Sequence, residues 1–160
     1  MTIKVGDKIP SVTLRVMSDE GPKELSTEEL FGGKKVVVFA LPGAFTPTCS
    51  AKHLPGYVQQ ADAITGKGVD TIACISVNDA FVMHAWGNDQ NVGGKVKMVA
   101  DGSGDFARAV GLELDVAARG MGMRSQRYSM VVEDGVVSSL NVEAAGKFEV
   151  SDADTVLGQV

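Results

Sequence analysis

The chain has 160 residues, 44% of them hydrophobic, about one domain's length and enough to bury a core without disulfide or metal staples. Its net charge of -5 and the absence of any Lys/Arg cluster argue against nucleic acid as a partner. Met1-Thr2-Ile3-Lys4-Val5-Gly6-Asp7 lacks the apolar core of a signal peptide and no apolar run approaches the roughly 20 residues that span a bilayer, so a single cytoplasmic domain over 1–160, without a membrane partner, is expected.

Ser11 to Val16 alternates like an edge strand, and Ser26-Thr27-Glu28-Glu29 matches a capping box for a short helix. Lys34 to Leu41 carries the unbroken apolar run Val36 to Ala40, the pattern of a parallel strand covered on both faces. A helix follows Cys49, with Leu54, Tyr57, Val58, Ala61 and Ile64 at helical spacing and a kink expected at Pro55. Val69 to Val77 is a second buried strand, and Asn78 reads as the cap of a helix carrying Phe81, Val82, Ala85 and Trp86. Gly93-Gly94 marks a turn before a strand over Lys95 to Ala100, and Gly104 to Val110 forms a short helix ended by Gly111. Arg119 to Met123 reads as a loop. Arg127 to Val132 and Val136 to Leu140 flank Glu133-Asp134-Gly135 as a hairpin, and Ser151 is expected to cap a last helix. Strands alternating with helices, then a hairpin and a helix, predict an α/β sandwich with a mixed sheet.

Cys49 follows a strand in the stretch Leu41-Pro42-Gly43-Ala44-Phe45-Thr46-Pro47-Thr48-Cys49-Ser50. Thr46 then Pro47 is a helix start, with Thr46 as N-cap and Pro47 at the first helical position. The sulfur of Cys49 then faces unpaired backbone N–H groups and the positive end of the helix dipole, which favours a thiolate nucleophile. Burial as a small hydrophobe is the competing role. The two cysteines form neither a Cys-x-x-Cys nor a zinc pattern, and two histidines add little metal capacity.

Pro42-Gly43-Ala44-Phe45-Thr46-Pro47-Thr48-Cys49 resembles the Pro-x-x-x-Thr-x-x-Cys signature of peroxiredoxins, thiol peroxidases of thioredoxin-like fold. Ser50 to Tyr57, Ser76-Val77-Asn78-Asp79, Phe81-Val82-Met83 with Ala85-Trp86-Gly87, and Arg127 to Val132 are similar to the type II, or five-like, subgroup, so the resemblance runs nearly end to end. It implies a thioredoxin-like three-layer α/β sandwich in which Cys49 is oxidised to sulfenic acid by a hydroperoxide, with Pro42, Thr46 and Arg127 shaping the pocket. It also implies a homodimer with the loop around Phe45 and the helix around Trp86 near its interface, a redoxin or thiol reductant, and no metal or organic cofactor.

Each of these residues has an ordinary alternative. Thr46 serves as a cap, Pro42 as a turn residue, and a strand Arg as a surface charge. Arg127 is favoured over Arg124 as the pocket cation because the resemblance places it directly before Tyr128, with Arg124 supporting it. Cys74 lies on an apolar strand and reads as a core thiol, with resolution of the sulfenic acid as its functional alternative. No cysteine follows Cys74, so the C-terminal resolving cysteine of some five-like relatives is missing. An external thiol is therefore expected to close the cycle, from glutaredoxin with glutathione or from thioredoxin. His53, four residues after Cys49, raises a Cys-His hydrolase pair, but no third group to orient it is legible. His84, Asp79 and Glu143 read as surface groups, while Phe45, Phe81 and Trp86 read as core, pocket or partner surface. Two further classes stay open: a stoichiometric redox sensor or partner-binding module, and a disulfide oxidoreductase, which lacks its Cys-x-x-Cys.

Overall fold

Strand β3 (Lys35–Ala40) is buried on both faces, as its apolar run demands, and the molecule is built around it. The computed structural model describes residues 1–160 and places β3 inside a seven-stranded sheet. From one edge the strands are β2 (Gly21–Ser26), β1 (Thr13–Ser18), β5 (Lys97–Ala100), β4 (Thr71–Ser76), β3, β8 (Tyr128–Glu133) and β9 (Val136–Val142). β3 runs parallel to β4 and β4 to β5, while the outer pairings are antiparallel, so the sheet is mixed as expected.

Alternation along β3 divides the core in two. Val37 and Phe39 face a cluster with Leu54, Tyr57 and Ile64 of α2 (Leu54–Thr65), Met83 and Trp86 of α3 (Ala80–Asp89), and Val156 of α5 (Ala153–Leu157). Val36, Val38 and Ala40 face the other cluster, with Leu30 and Phe31 of α1 (Thr27–Phe31) and Phe106 of α4 (Asp105–Ala109). Helices thus cover both faces, giving the three-layer α/β sandwich. Ser26 caps α1 with Glu29 reaching back, the capping box read from the sequence.

Several boundaries differ from expectation. The first predicted strand is not an edge: β2 pairs outside it, through a hairpin in which Ser18 opposes Gly21. β2 carries Pro22, Lys23 and Glu24 exposed, so it shows no apolar alternation, and a Pro is tolerated on an edge. The predicted loop over 119–123 ends in β7 (Met123–Ser125), paired with β6 (Glu113–Asp115). Strands of three residues are too short for a period to register. Asp79, not Asn78, caps α3 by accepting the Val82 N–H, and Asp152, not Ser151, caps α5. Both true caps lie one residue further on, and each misassigned residue turns out to serve the site. No helix is long and apolar enough to cross a membrane.

Candidate active site

Beyond the end of β3 the chain turns through residues 41–46, with Phe45 held at φ 63, a left-handed conformation uncommon for a side chain of this size. Asn78 pins this loop, accepting the Ala44 N–H at 2.9 Å and the Ser76 hydroxyl at 2.6 Å. The Ser50 N–H then donates to the Thr46 carbonyl at 2.9 Å, starting the helix where the Thr-Pro pair indicated. Cys49 therefore sits at the third helical position. The Thr46 hydroxyl does not cap the helix: it donates to the Gly43 carbonyl at 2.7 Å, bracing the loop.

The first turn is wide. Cys49–His53 is π-helical, with the Leu54 N–H donating to the Cys49 carbonyl, and α2 continues from it with Pro55 in its first turn. The distortion expected of Pro55 thus appears just upstream, as a single π turn, a form concentrated at functional sites. Cys49 and His53, the two ends of that turn, are both buried.

One guanidinium joins those two ends. Arg127, just ahead of β8, donates from Nη2 to Cys49 Sγ at 3.2 Å and from Nη1 to His53 Nδ1 at 2.9 Å. Because Arg only donates, Nδ1 must carry the lone pair, and the proton sits on Nε2, which donates to the Ser151 carbonyl at 3.0 Å. The imidazole is neutral: burial, and then the Arg127 charge, bring its pKa down to about 3. The Phe148 ring covers this pair, its centroid 4.9 Å from the His53 ring and 5.8 Å from Arg127 Cζ. A Cys-His hydrolase pair is ruled out by this arrangement, since both His53 nitrogens are committed to Arg127 and Ser151.

Arg124 is bound to backbone carbonyls instead. It donates from Nε to the Met121 carbonyl at 3.0 Å and from Nη1 to the Pro42 carbonyl at 3.4 Å, and does not bond the sulfur. Gly43 makes room for it, since a Cβ there would lie 2.9 Å from Arg124 Nη1. Of the predicted pocket residues Arg127 contacts Cys49, while Arg124 is tied to Pro42 and Thr46 to Gly43 on the loop that leads to it, with Pro42 and Thr46 half-buried. Cys74 lies in the same core cluster as Cys49, fully buried, and both are free thiols. Burial, reinforced by the neighbouring Cys49, pushes the Cys74 thiol well up in pKa. Trp86 is a core residue whose Nε1 donates to the Ser50 hydroxyl at 3.1 Å, whereas Phe45 and Phe81 are exposed.

Two residues escaped sequence reasoning. His53 was weighed as a base, whereas here it holds the arginine. Glu143, read as a surface carboxylate, is 7% exposed and accepts the Ser151 hydroxyl and the backbone N–H groups of Glu149, Val150 and Ser151. Burial alone raises its pKa, yet these donors outweigh it and hold the carboxyl below its usual range. His84 is exposed, as expected.

The depressed His53 pKa has a consequence for stability. Between about pH 6.5 and about pH 3 the unfolded chain binds a proton at His53 that the folded chain refuses, so stability falls as the pH drops through that window. At 1.36 kcal/mol per unit the loss approaches about 5 kcal/mol, and Glu143 adds to it in the same direction at the acid end. Urea midpoints should therefore decline steadily below about pH 6, and less steeply in His53→Gln. A midpoint that stays level between about pH 6.5 and pH 4 would contradict the buried neutral imidazole.

Residues 4–157 match the Redoxin family model. The chain is 47% identical to Peroxiredoxin-2B of Arabidopsis thaliana, over 97% of this chain and 96% of that protein. To the chloroplastic Peroxiredoxin-2E of the same plant it is 48% identical, covering 98% of this chain and 68% of that one. Among solved structures, reduced Prx3 of Vibrio vulnificus in complex with H2O2 superposes with a TM-score of 0.95 at 54% identity, covering 99% of both chains. With its thioredoxin-like three-layer fold and a thiol that an arginine contacts at the head of a helix, the chain belongs to the peroxiredoxin family, in its type II branch, whose members are thiol peroxidases.

Proposed function

We propose that Cys49 is the nucleophile of this peroxidase and that Arg127 is the group that orients and stabilises its reaction. The supporting observation is the guanidinium fork, one arm 3.2 Å from Sγ and the other held on His53. The Cys49 thiolate attacks one oxygen of a hydroperoxide as the O–O bond breaks. Cysteine becomes sulfenic acid, and the departing hydroxide or alkoxide takes a proton to leave as water or alcohol. Negative charge moves from sulfur to the leaving oxygen, and Arg127 donors can follow it without reorganising. Thr46 and Pro42 shape the loop over the thiol, and Arg124 braces that loop through the Pro42 carbonyl. Two external thiols then reduce the sulfenic acid, releasing water and leaving as a disulfide.

We take the external reductant to be glutaredoxin with glutathione, or thioredoxin, acting on a cytoplasmic, one-domain chain. Exposed Phe45 and Phe81, on the loop and helix flanking Trp86, supply the apolar surface for a homodimer. Cys74 serves as a core thiol: its buried, protonated sulfur is a poor nucleophile at neutral pH. Peroxide consumption by the purified chain with each reductant system tests this reading. Many peroxides consumed per chain supports the enzyme, whereas one oxidation and no turnover with either donor favours a stoichiometric sensor. Cys74→Ser is expected to turn over within about twofold of wild type, allowing for a core thiol exchanged for a hydroxyl. A collapse of turnover in that variant, with a Cys49–Cys74 disulfide as the wild-type product, would make Cys74 the resolving residue.

A further inference from the structure

Glu143 is buried, charged and absent from the chemistry proposed above, yet it is tied to Arg127 twice. Its backbone N–H donates to the Arg127 carbonyl at 2.9 Å, continuing the β8/β9 ladder by one step. Its side chain reaches Arg127 by a longer route. After Glu143 the chain turns through Ala144 to Lys147, with Gly146 at φ 74, and comes back over the same carboxylate. The backbone N–H groups of Glu149, Val150 and Ser151 all donate to it at 2.8 Å to 2.9 Å, and the Ser151 hydroxyl at 2.7 Å. No other carboxylate in the molecule accepts from so many donors. Ser151's own carbonyl, fixed by that fold-back, accepts from His53 Nε2 at 3.0 Å and from the Tyr57 hydroxyl at 2.8 Å.

Taking Cys49 and Arg127 as the reacting pair, we propose that Glu143 is a positioning residue: it clamps the Ser151 peptide so that His53 is locked as the tautomer able to hold Arg127 on the Cys49 sulfur. The logic rests on donor counting. A carbonyl can only accept, so while it faces His53 the ring proton must be on Nε2. Nδ1 is then free to receive the Arg127 Nη1–H. If the Ser151 peptide moves, the ring can place its proton on Nδ1, where it would face an arginine N–H donor to donor and push the guanidinium off the sulfur. Phe148, in the same fold-back, covers both groups and keeps water from competing for those bonds.

Wild type provides a first test, because only two histidines are present and His84 is exposed. Nitrogen-15 spectra of the imidazoles near neutral pH should show His53 protonated at Nε2 and bare at Nδ1. A His53 ring protonated at Nδ1 would overturn the proposal. In Glu143→Gln, which keeps the shape and loses the charge, the His53 signals should show tautomer exchange. Peroxide reduction should slow roughly tenfold, about one charge-assisted hydrogen bond, while alkylation of Cys49 by iodoacetamide, which needs no oriented O–O bond, changes less. Wild-type His53 signals with a wild-type peroxide rate in Glu143→Gln would sink it. Combining Glu143→Gln with Arg127→Ala should slow the reaction no further than Arg127→Ala alone, since the relay acts through that arginine. A normal rate in Arg127→Ala would defeat the underlying reading of the site, whereas a slow Arg127→Ala beside a normal Glu143→Gln would defeat only the relay.

Discussion

Cys49→Ser is expected to lose peroxide turnover by more than about a thousandfold, to the background of the assay. The substitution is close to isosteric and sits at a position where the helix start and the π turn are set by Thr46, Pro47 and Leu54 rather than by the sulfur. The hydroxyl would still lie against Arg127 Nη2. What disappears is the ionisable, polarisable nucleophile, because a serine without a base to take its proton stays neutral near pH 7. His53 cannot act as that base: its Nδ1 already accepts from Arg127 and its Nε2 carries a proton. Coupled oxidation of the reductant, followed spectroscopically, measures the loss. Turnover above a tenth of wild type in this variant would move the chemistry away from Cys49.

The second large effect belongs to Arg127. Arg127→Ala should slow peroxide reduction by about a hundredfold to a thousandfold, the range seen when one preorganised donor is removed from a transition state that gathers negative charge. Lysine should recover little of this. Its single ammonium cannot span the sulfur and the imidazole as the fork does, at 3.2 Å and 2.9 Å. Arg124→Ala is expected to cost less than about tenfold, because that side chain reaches the Pro42 and Met121 carbonyls and leaves the sulfur alone. Removing Arg127 also strands the buried Nδ1 of His53 without a donor, worth roughly 1–3 kcal/mol of stability. The rates are therefore to be read alongside a urea midpoint that shows the variant folded. Equal losses in the two arginine variants would mean that overall positive charge matters and the fork does not.

The residues that announced themselves in the sequence were those whose roles are local. Val36 to Ala40 had to be a strand covered on two faces, and it lies inside the sheet between β4 and β8. The Ser26-to-Glu29 box and the Asp134-Gly135 turn, at φ 47 and φ 78, require only a few neighbouring residues. Thr46 and Pro47 placed Cys49 in its helix for the same reason. His53 was misread because its partners are remote in the chain, and Glu143 because its partners, six to eight residues on, reach it only once the chain folds back. His53 Nε2 and its Ser151 acceptor are separated by 98 positions, and Arg127 Nη1 and His53 by 74. A lone histidine four residues after a cysteine carries no sign of an arginine that folding will deliver. Glu143 had one legible hint, Gly146 and the Ser151-Asp152 pair following it closely, which mark a turn and a cap where the chain folds back. Asn78 and Ser151 show a related confusion: each stands beside the true helix cap, freed by it to serve the active-site loop and the His53 relay respectively.

The most direct measurement exposes the reduced wild-type chain to one equivalent of hydrogen peroxide, traps sulfenic acid with a dimedone-type reagent, and maps the adduct by peptide mass spectrometry. The adduct should fall on the peptide holding Cys49, leave Cys74 unmodified, and form far more slowly in Arg127→Ala. Oxidation first at Cys74, or no adduct on Cys49 while peroxide is still consumed, would contradict the assignment of Cys49 as the reacting thiol.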